Sequence, residues 1–162
     1  MTAAAVSGST GATEEVRTRT VVAVAVLWRG RLGIFRRSAS VDHDQGLWHC
    51  VTGYVEAGTT PPQQAFAELH EETGLAVADL DSFREGEVLE LSDADGRMWT
   101  IHTFQAVTTR RRLILNEEHD AYKWVEPRAV ARFGNRVSWL DDVMLATGVV
   151  GEAFTAQGRR RT

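Results

Sequence analysis

Residues 52–75, TGYVEAGTTPPQQAFAELHEETGL, are the stretch that most constrains this 162-residue chain. Thr60 is a favoured helix N-cap, Pro61 suits the first helical position, and Gln63 completes a capping box with Thr60. Gly74 suits the left-handed residue that follows a helix end. These signals bound a helix that follows a glycine-containing turn at Gly53, with Ala65, Phe66 and Leu69 as its docking stripe. Glu68, Glu71 and Glu72 fall in its last turns, three and four residues apart, on one face. Like charges so placed repel by about 0.2–0.5 kcal/mol per pair. A hard divalent cation such as Mg²⁺ reverses that cost, because it takes carboxylate oxygens as ligands. The stretch therefore reads as a metal site for phosphate chemistry rather than as a solvated helix face.

The elements around this helix predict a mixed α/β domain. Residues 19–28 are dense in valine and read as a buried strand. Arg29-Gly30 marks a turn, and Leu32 to Arg36 returns as a second strand. Residues 38–47 form a polar loop, and Trp48 to Thr52 is a short extended segment. Residues 85–91 and 97–107 read as strands joined at Ala94-Asp95-Gly96. Ala121 to Val125 is a further strand, Pro127 to Phe133 a short helix, and Ser138 to Thr147 a longer one. In the last, Trp139, Leu140, Val143 and Met144 face inward.

The length allows one good core, so residues 18–150 are expected to form a single domain. Residues 1–17 and 151–162 are expected to be tails, the first disordered and made of small residues. A net charge of −4 argues against a nucleic-acid-binding face, which is usually basic. The single cysteine, Cys50, forms no internal disulfide and fits a reducing, cytoplasmic compartment. The N-terminus lacks the pattern of a signal peptide, and no run approaches the roughly 18 apolar residues of a membrane span.

The same stretch resembles the Nudix box of the Nudix hydrolases: Gly, five residues, Glu, seven residues, Arg-Glu, an aliphatic, any residue, Glu-Glu, any residue, Gly, an aliphatic. Gly53, Glu68, Leu69, Glu71, Glu72, Gly74 and Leu75 occupy their places. Thr59 stands where the family has its first glutamate, and Ala67 where it has the arginine. In the family these two form a bracing charge pair. Losing one alone leaves a costly unpaired charge, whereas losing both is nearly neutral for folding. The joint departure therefore removes one bracing unit. Residues 48–56, WHCVTGYVE, and residues 118–124, EHDAYKW, are similar to segments of the dihydroneopterin triphosphate pyrophosphatase branch.

The resemblance implies an α/β/α sandwich with a mixed central sheet, and Mg²⁺-dependent hydrolysis of a diphosphate linked to another group, with Mn²⁺ as an alternative ion. It implies Glu68, Glu71, Glu72, Glu118 and the Thr52 carbonyl as metal ligands. Glu68 and Glu118 are the candidate general bases, with Glu117 second to Glu118 outside the box. Arg36, Trp48, His49 and Tyr122 are the candidate substrate contacts, and packing or solvation competes for each of them. A homodimer is expected. The competing reading is a weak or inactive domain that binds a nucleotide-like ligand as a sensor, favoured by the missing Thr59/Ala67 pair.

Overall fold

The computed structural model describes residues 19–151. Apart from Gly151, the two expected tails lie outside the described residues. Among these, seven strands form one mixed sheet. At its centre β1 (Thr20–Trp28) sends Val22, Val24 and Val26 to one face and Val21, Ala23 and Ala25 to the other. Both faces are covered, which explains an apolar residue at nearly every position. β2 (Arg31–Arg37) returns through the Arg29–Gly30 turn, where both residues have positive φ. β3 (Trp48–His49) pairs with β2, and β4 (Val51–Tyr54) pairs with the first half of β1. β5 (Leu80–Ser92) and β6 (Met98–Thr108) form a long hairpin, with β6 parallel to β1. β7 (His119–Val125) pairs with β2.

Two helices complete an α/β/α sandwich, as the resemblance implies. α1 (Pro61–Thr73) covers the face that carries Val22, Val24, Phe35 and Phe104. α2 (Leu140–Ala146) covers the other, with Leu140, Val143 and Met144 in a core that includes Ile34, Trp48 and Cys50. The α1 caps are those read from the sequence. Gln63 N–H donates to Thr60 Oγ1 at 3.4 Å, Gln63 Oε1 accepts from Thr60 N–H at 3.0 Å, and Gly74 adopts φ 75°.

Several boundaries differ from the sequence expectation. Gly53 lies inside β4, and the chain turns later, at Ala57–Gly58. The expected short helix at 127–133 is a 3₁₀ helix, Pro127–Arg132, with no side-chain cap to sustain a longer one. α2 starts at Leu140, two residues later than expected. β5 starts at Leu80 and β7 at His119, because pairing with β6 and β2 extends both past their apolar runs.

Candidate active site

The packing of α1 fixes its rotation. Ala65 and Leu69 enter the core, and Phe66 stacks on Phe83 with ring centroids 4.1 Å apart. Glu72 then points inward and is only 2% exposed, while Glu71 is exposed. Glu68 leans onto β4. A β-carbon at Gly53 would overlap the Glu68 carboxyl group, so the missing side chain of Gly53 is the space that Glu68 fills.

The third carboxylate comes from the loop before β7. One oxygen each from Glu68, Glu72 and Glu118 lie within 4.8 Å of one another. Glu118 is held by backbone contacts that the sequence reading passed over. Asn116 Oδ1 accepts from Glu118 N–H at 3.1 Å, and Ser38 N–H donates to the Glu118 carbonyl at 2.8 Å. The Ser38 and Ser40 hydroxyls donate to the Glu117 carbonyl at 2.5 and 2.7 Å. The signal available was two small hydroxyl residues directly after a strand. Glu117 is exposed, and Glu71 stands outside the converging trio.

A bulge between β2 and β7 sets which side chains meet the acids. Phe35 pairs with Tyr122 and Arg36 with Ala121, but Arg37 pairs with His119, so Asp120 is the extra residue. An unbroken ladder would have sent Asp120 to the face of Tyr122. Instead His119 packs on Phe35, at 5.4 Å between rings, with its Nδ1 3.5 Å from Glu72 Oε1. Asp120 turns away and accepts from Arg36 Nε at 2.6 Å.

This arrangement strains the ionised state of the acids. Burial first, then the neighbouring Glu71 and Glu118 charges, raises the Glu68 pKa to about 7, while the Gln64 hydrogen bond opposes the rise. Burial and the charges of Glu68 and Glu118 push Glu72 well above the usual carboxylate range. Burial lowers His119 to about 4, so its ring is neutral beside Glu72. Among the described residues, Glu72 Oε2 and both His119 ring nitrogens have no hydrogen-bond partner. Three converging carboxylates, one of which carries a buried oxygen with no hydrogen-bond partner, fit a divalent cation.

The expected substrate contacts are scattered. Arg36 is bound to Asp120, and its guanidinium lies over Trp48 at 5.8 Å. Arg37, one residue on, is the cation whose charge acts on Glu72, His49 and His119. Trp48 is 5% exposed, and Lys123 also sits over its ring, at 5.5 Å. His49 is 2% exposed and meets Trp139 edge-on at 4.3 Å. Neither Trp48 nor His49 offers surface to a ligand in this conformation: Trp48 fills the α2-side core, and His49, paired with Phe35 in the sheet, is packed against Trp139. Tyr122 is half-buried, and its hydroxyl accepts from Leu113 N–H at 3.2 Å, tethering the loop over the end of α1. Thr52 precedes Gly53 in β4, beside Glu68. Cys50 is fully buried, and burial pushes its thiol pKa up, which marks a packed thiol and not a nucleophile.

Comparison with known proteins agrees with this geometry. Residues 17–145 match the family model described as NUDIX domain. The chain is 40% identical over 93 residues to the octanoyltransferase of Myxococcus xanthus, covering 54% of this chain and 25% of that protein. It is 30% identical over 116 residues to the RNA pyrophosphohydrolase of Gluconobacter oxydans (strain 621H), covering 62% of this chain and 66% of that protein. It thus spans a quarter of the first relative and just under two thirds of the second. Among solved structures, the E. coli dihydroneopterin triphosphate pyrophosphohydrolase superposes with a TM-score of 0.66 at 25% identity, covering 79% of this chain and 93% of that one.

Proposed function

Because the chain belongs to the Nudix hydrolase family, we propose that it hydrolyses a diphosphate linkage in a nucleoside diphosphate-X or related substrate, with Mg²⁺ as the working ion and Mn²⁺ as a substitute. The observation that carries this reading is the convergence of Glu68, Glu72 and Glu118 within 4.8 Å. Glu72, the buried member, has little reason to converge with two partly buried carboxylates unless a cation neutralises them.

Glu68, Glu72 and Glu118 would hold the ion, with the Thr52 carbonyl and Glu71 as further ligands. When bound, the ion neutralises the diphosphate and acidifies water. The protein residues do the rest. Gly53 leaves room for the Glu68 carboxylate. Asn116, Ser38 and Ser40 fix the backbone that carries Glu118. Arg37, whose charge acts on Glu72, is the cation assigned to meet a phosphate as it arrives. Glu68 or Glu118 takes the proton as water attacks phosphorus and the bridging P–O bond breaks. The reaction needs alignment and charge neutralisation more than a protein nucleophile.

A second reading narrows the substrate to dihydroneopterin triphosphate. The segments 48–56 and 118–124 and the 25% identity to the E. coli enzyme favour it. The name of the Gluconobacter relative adds RNA to the candidates. The sensor reading rests on the absent Thr59/Ala67 pair and is opposed by the convergence of Glu68, Glu72 and Glu118. A cytoplasmic location and a homodimer remain expectations of this reading. No helix among the described residues is long and apolar enough to cross a membrane.

The test is phosphate and pyrophosphate release with Mg²⁺ across dihydroneopterin triphosphate, the nucleoside triphosphates, ADP-ribose, dinucleoside polyphosphates and an RNA with a 5′ triphosphate. One preferred substrate, silenced by Glu72→Gln, is the expected result. No turnover on any of them by a folded, Mg²⁺-binding protein would favour the sensor reading.

A further inference from the structure

Gln64 is 4% exposed, although it is an amide on the first turns of a helix that is otherwise polar outside. Both ends of its side chain are used. Its Nε2 donates to Glu68 Oε1 at 2.9 Å, one helical turn on. Its Oε1 accepts from the backbone N–H of Glu56 at 3.1 Å. Glu56 lies in the loop between β4 and α1, so one amide joins the loop, the helix and a converging carboxylate. The two bonds also fix which way the amide points, since only the Nε2 end can donate to a carboxylate.

This link sits where a brace is missing. Thr59 and Ala67 occupy the positions of the charge pair that the resemblance leads one to expect, and they can form no such pair. Ala67 is exposed, and Thr59 N–H donates to the Glu56 carbonyl at 3.1 Å, which closes the turn locally. The remaining loop-to-helix side-chain bonds in this segment are the Thr60–Gln63 capping box, which ends short of Glu68. Gln64 therefore makes the bond that reaches the acid.

We propose that Gln64 is a positioning residue that replaces the absent charge pair with a neutral amide clamp, holding Glu68 over Gly53 in the orientation in which it meets a divalent cation. The proposal rests on the metal-dependent reading above for its functional meaning. Its mechanism is independent of the substrate. A carboxylate with one oxygen pinned by an amide and its carbon seated against a glycine keeps few orientations. It thus loses less rotational freedom when it takes up an ion. A neutral clamp also adds no charge beside an already crowded acidic group, as an arginine–glutamate pair would.

The experiment measures Mn²⁺ affinity of the full chain by electron paramagnetic resonance, without substrate, together with kcat, KM and urea unfolding. Gln64→Met keeps the buried volume and removes both hydrogen bonds. It is expected to weaken Mn²⁺ binding by about tenfold and to lower kcat by a similar factor, with KM unchanged within about twofold. Adding Thr59→Glu with Ala67→Arg to Gln64→Met is expected to recover most of the Mn²⁺ affinity. The same two changes in the wild-type background are expected to alter it by less than about threefold. If Gln64→Met does not fold, Gln64→Asn carries the test, because its side chain is too short to span both partners. Unchanged Mn²⁺ affinity in a folded Gln64→Met or Gln64→Asn protein would overturn the clamp. So would equal gains from the Thr59/Ala67 changes in both backgrounds. Absence of hydrolysis by the wild type would overturn the functional reading alone, since the Mn²⁺ measurement stands without it.

Discussion

The carboxyl group of Glu68 occupies the volume that a β-carbon on Gly53 would need. The glycine is required here by a neighbour and not by a turn, because Gly53 lies in β4 and its φ is not positive. Gly53→Ala is thus compatible with the backbone, and the Glu68 side chain has to yield. The expected outcome is a stability loss below about 1 kcal/mol, since a flexible side-chain end can move, with a fall in kcat of about a hundredfold. Urea unfolding and steady-state kinetics on one preparation measure both. Full activity in Gly53→Ala would show that the placement of Glu68 is immaterial.

Glu72 presents the opposite balance of fold and function. It is 2% exposed, faces a neutral His119, and shares its surroundings with two other carboxylates. Glu72→Gln removes a charge that is poorly solvated in the absence of a cation. Thermal unfolding without metal is expected to show unchanged or raised stability, and turnover with Mg²⁺ to drop by at least about a hundredfold. A parallel loss of both would mean that the carboxylate serves the fold.

Arg36 and Arg37 are adjacent and are expected to behave differently. Arg36 lies on the Trp48 side, bonded to Asp120, whereas the charge of Arg37 acts on Glu72 and on His119. Arg37→Ala is expected to raise KM for a diphosphate substrate by about tenfold, the cost of one charge-assisted contact. Arg36→Ala is expected to shift KM by less than about twofold. A larger KM effect from Arg36 than from Arg37 would reverse the assignment.

His49 makes acid stability a separate readout of the core. Burial, followed by the charge of Arg37, lowers its pKa to about 3, against 6.5 for an ordinary histidine. The unfolded chain takes up this proton below about pH 6.5, and the folded chain resists doing so until near pH 3. The contribution is therefore complete above pH 6.5 and is lost as pH falls through that window. His49→Phe keeps an aromatic contact with Trp139 and removes the titration. Its urea midpoint is expected to gain on the wild type as pH drops from 7 to 4.5. A difference that stays constant with pH would rule out this linkage.

The parts of the site written in local chemistry were legible from the sequence. Thr60, Gln63 and Gly74 fixed both ends of α1, and the spacing of Glu68 and Glu72 placed two acids together. The same spacing argument included Glu71, and it failed to separate the glutamate that the docking of Phe66 and Leu69 turns inward from the one it turns out. Trp48 and His49 had the composition of a ligand surface, yet the approach of α2 buried them. Such choices depend on which neighbour packs against a strand, and no local pattern carries that information. Gln64 was passed over for a related reason. A glutamine on a helix is ordinary until the folded loop brings Glu56 to its other end.

The extra residue at Asp120 makes the chemistry of this region a matter of parity. In a two-sided sheet, deleting one residue between His119 and Ala121 would leave the strands paired and the core nearly filled. It would leave His119 opposite Arg37 and facing Phe35, whereas pairing Asp120 itself with Arg37, with no residue bulged, would bring an acidic side chain toward Glu72 where an imidazole now stands. The bulge, and not the residue count, therefore selects the reagent, and a regular ladder at this spot would alter what the pocket does before it altered whether the domain folds.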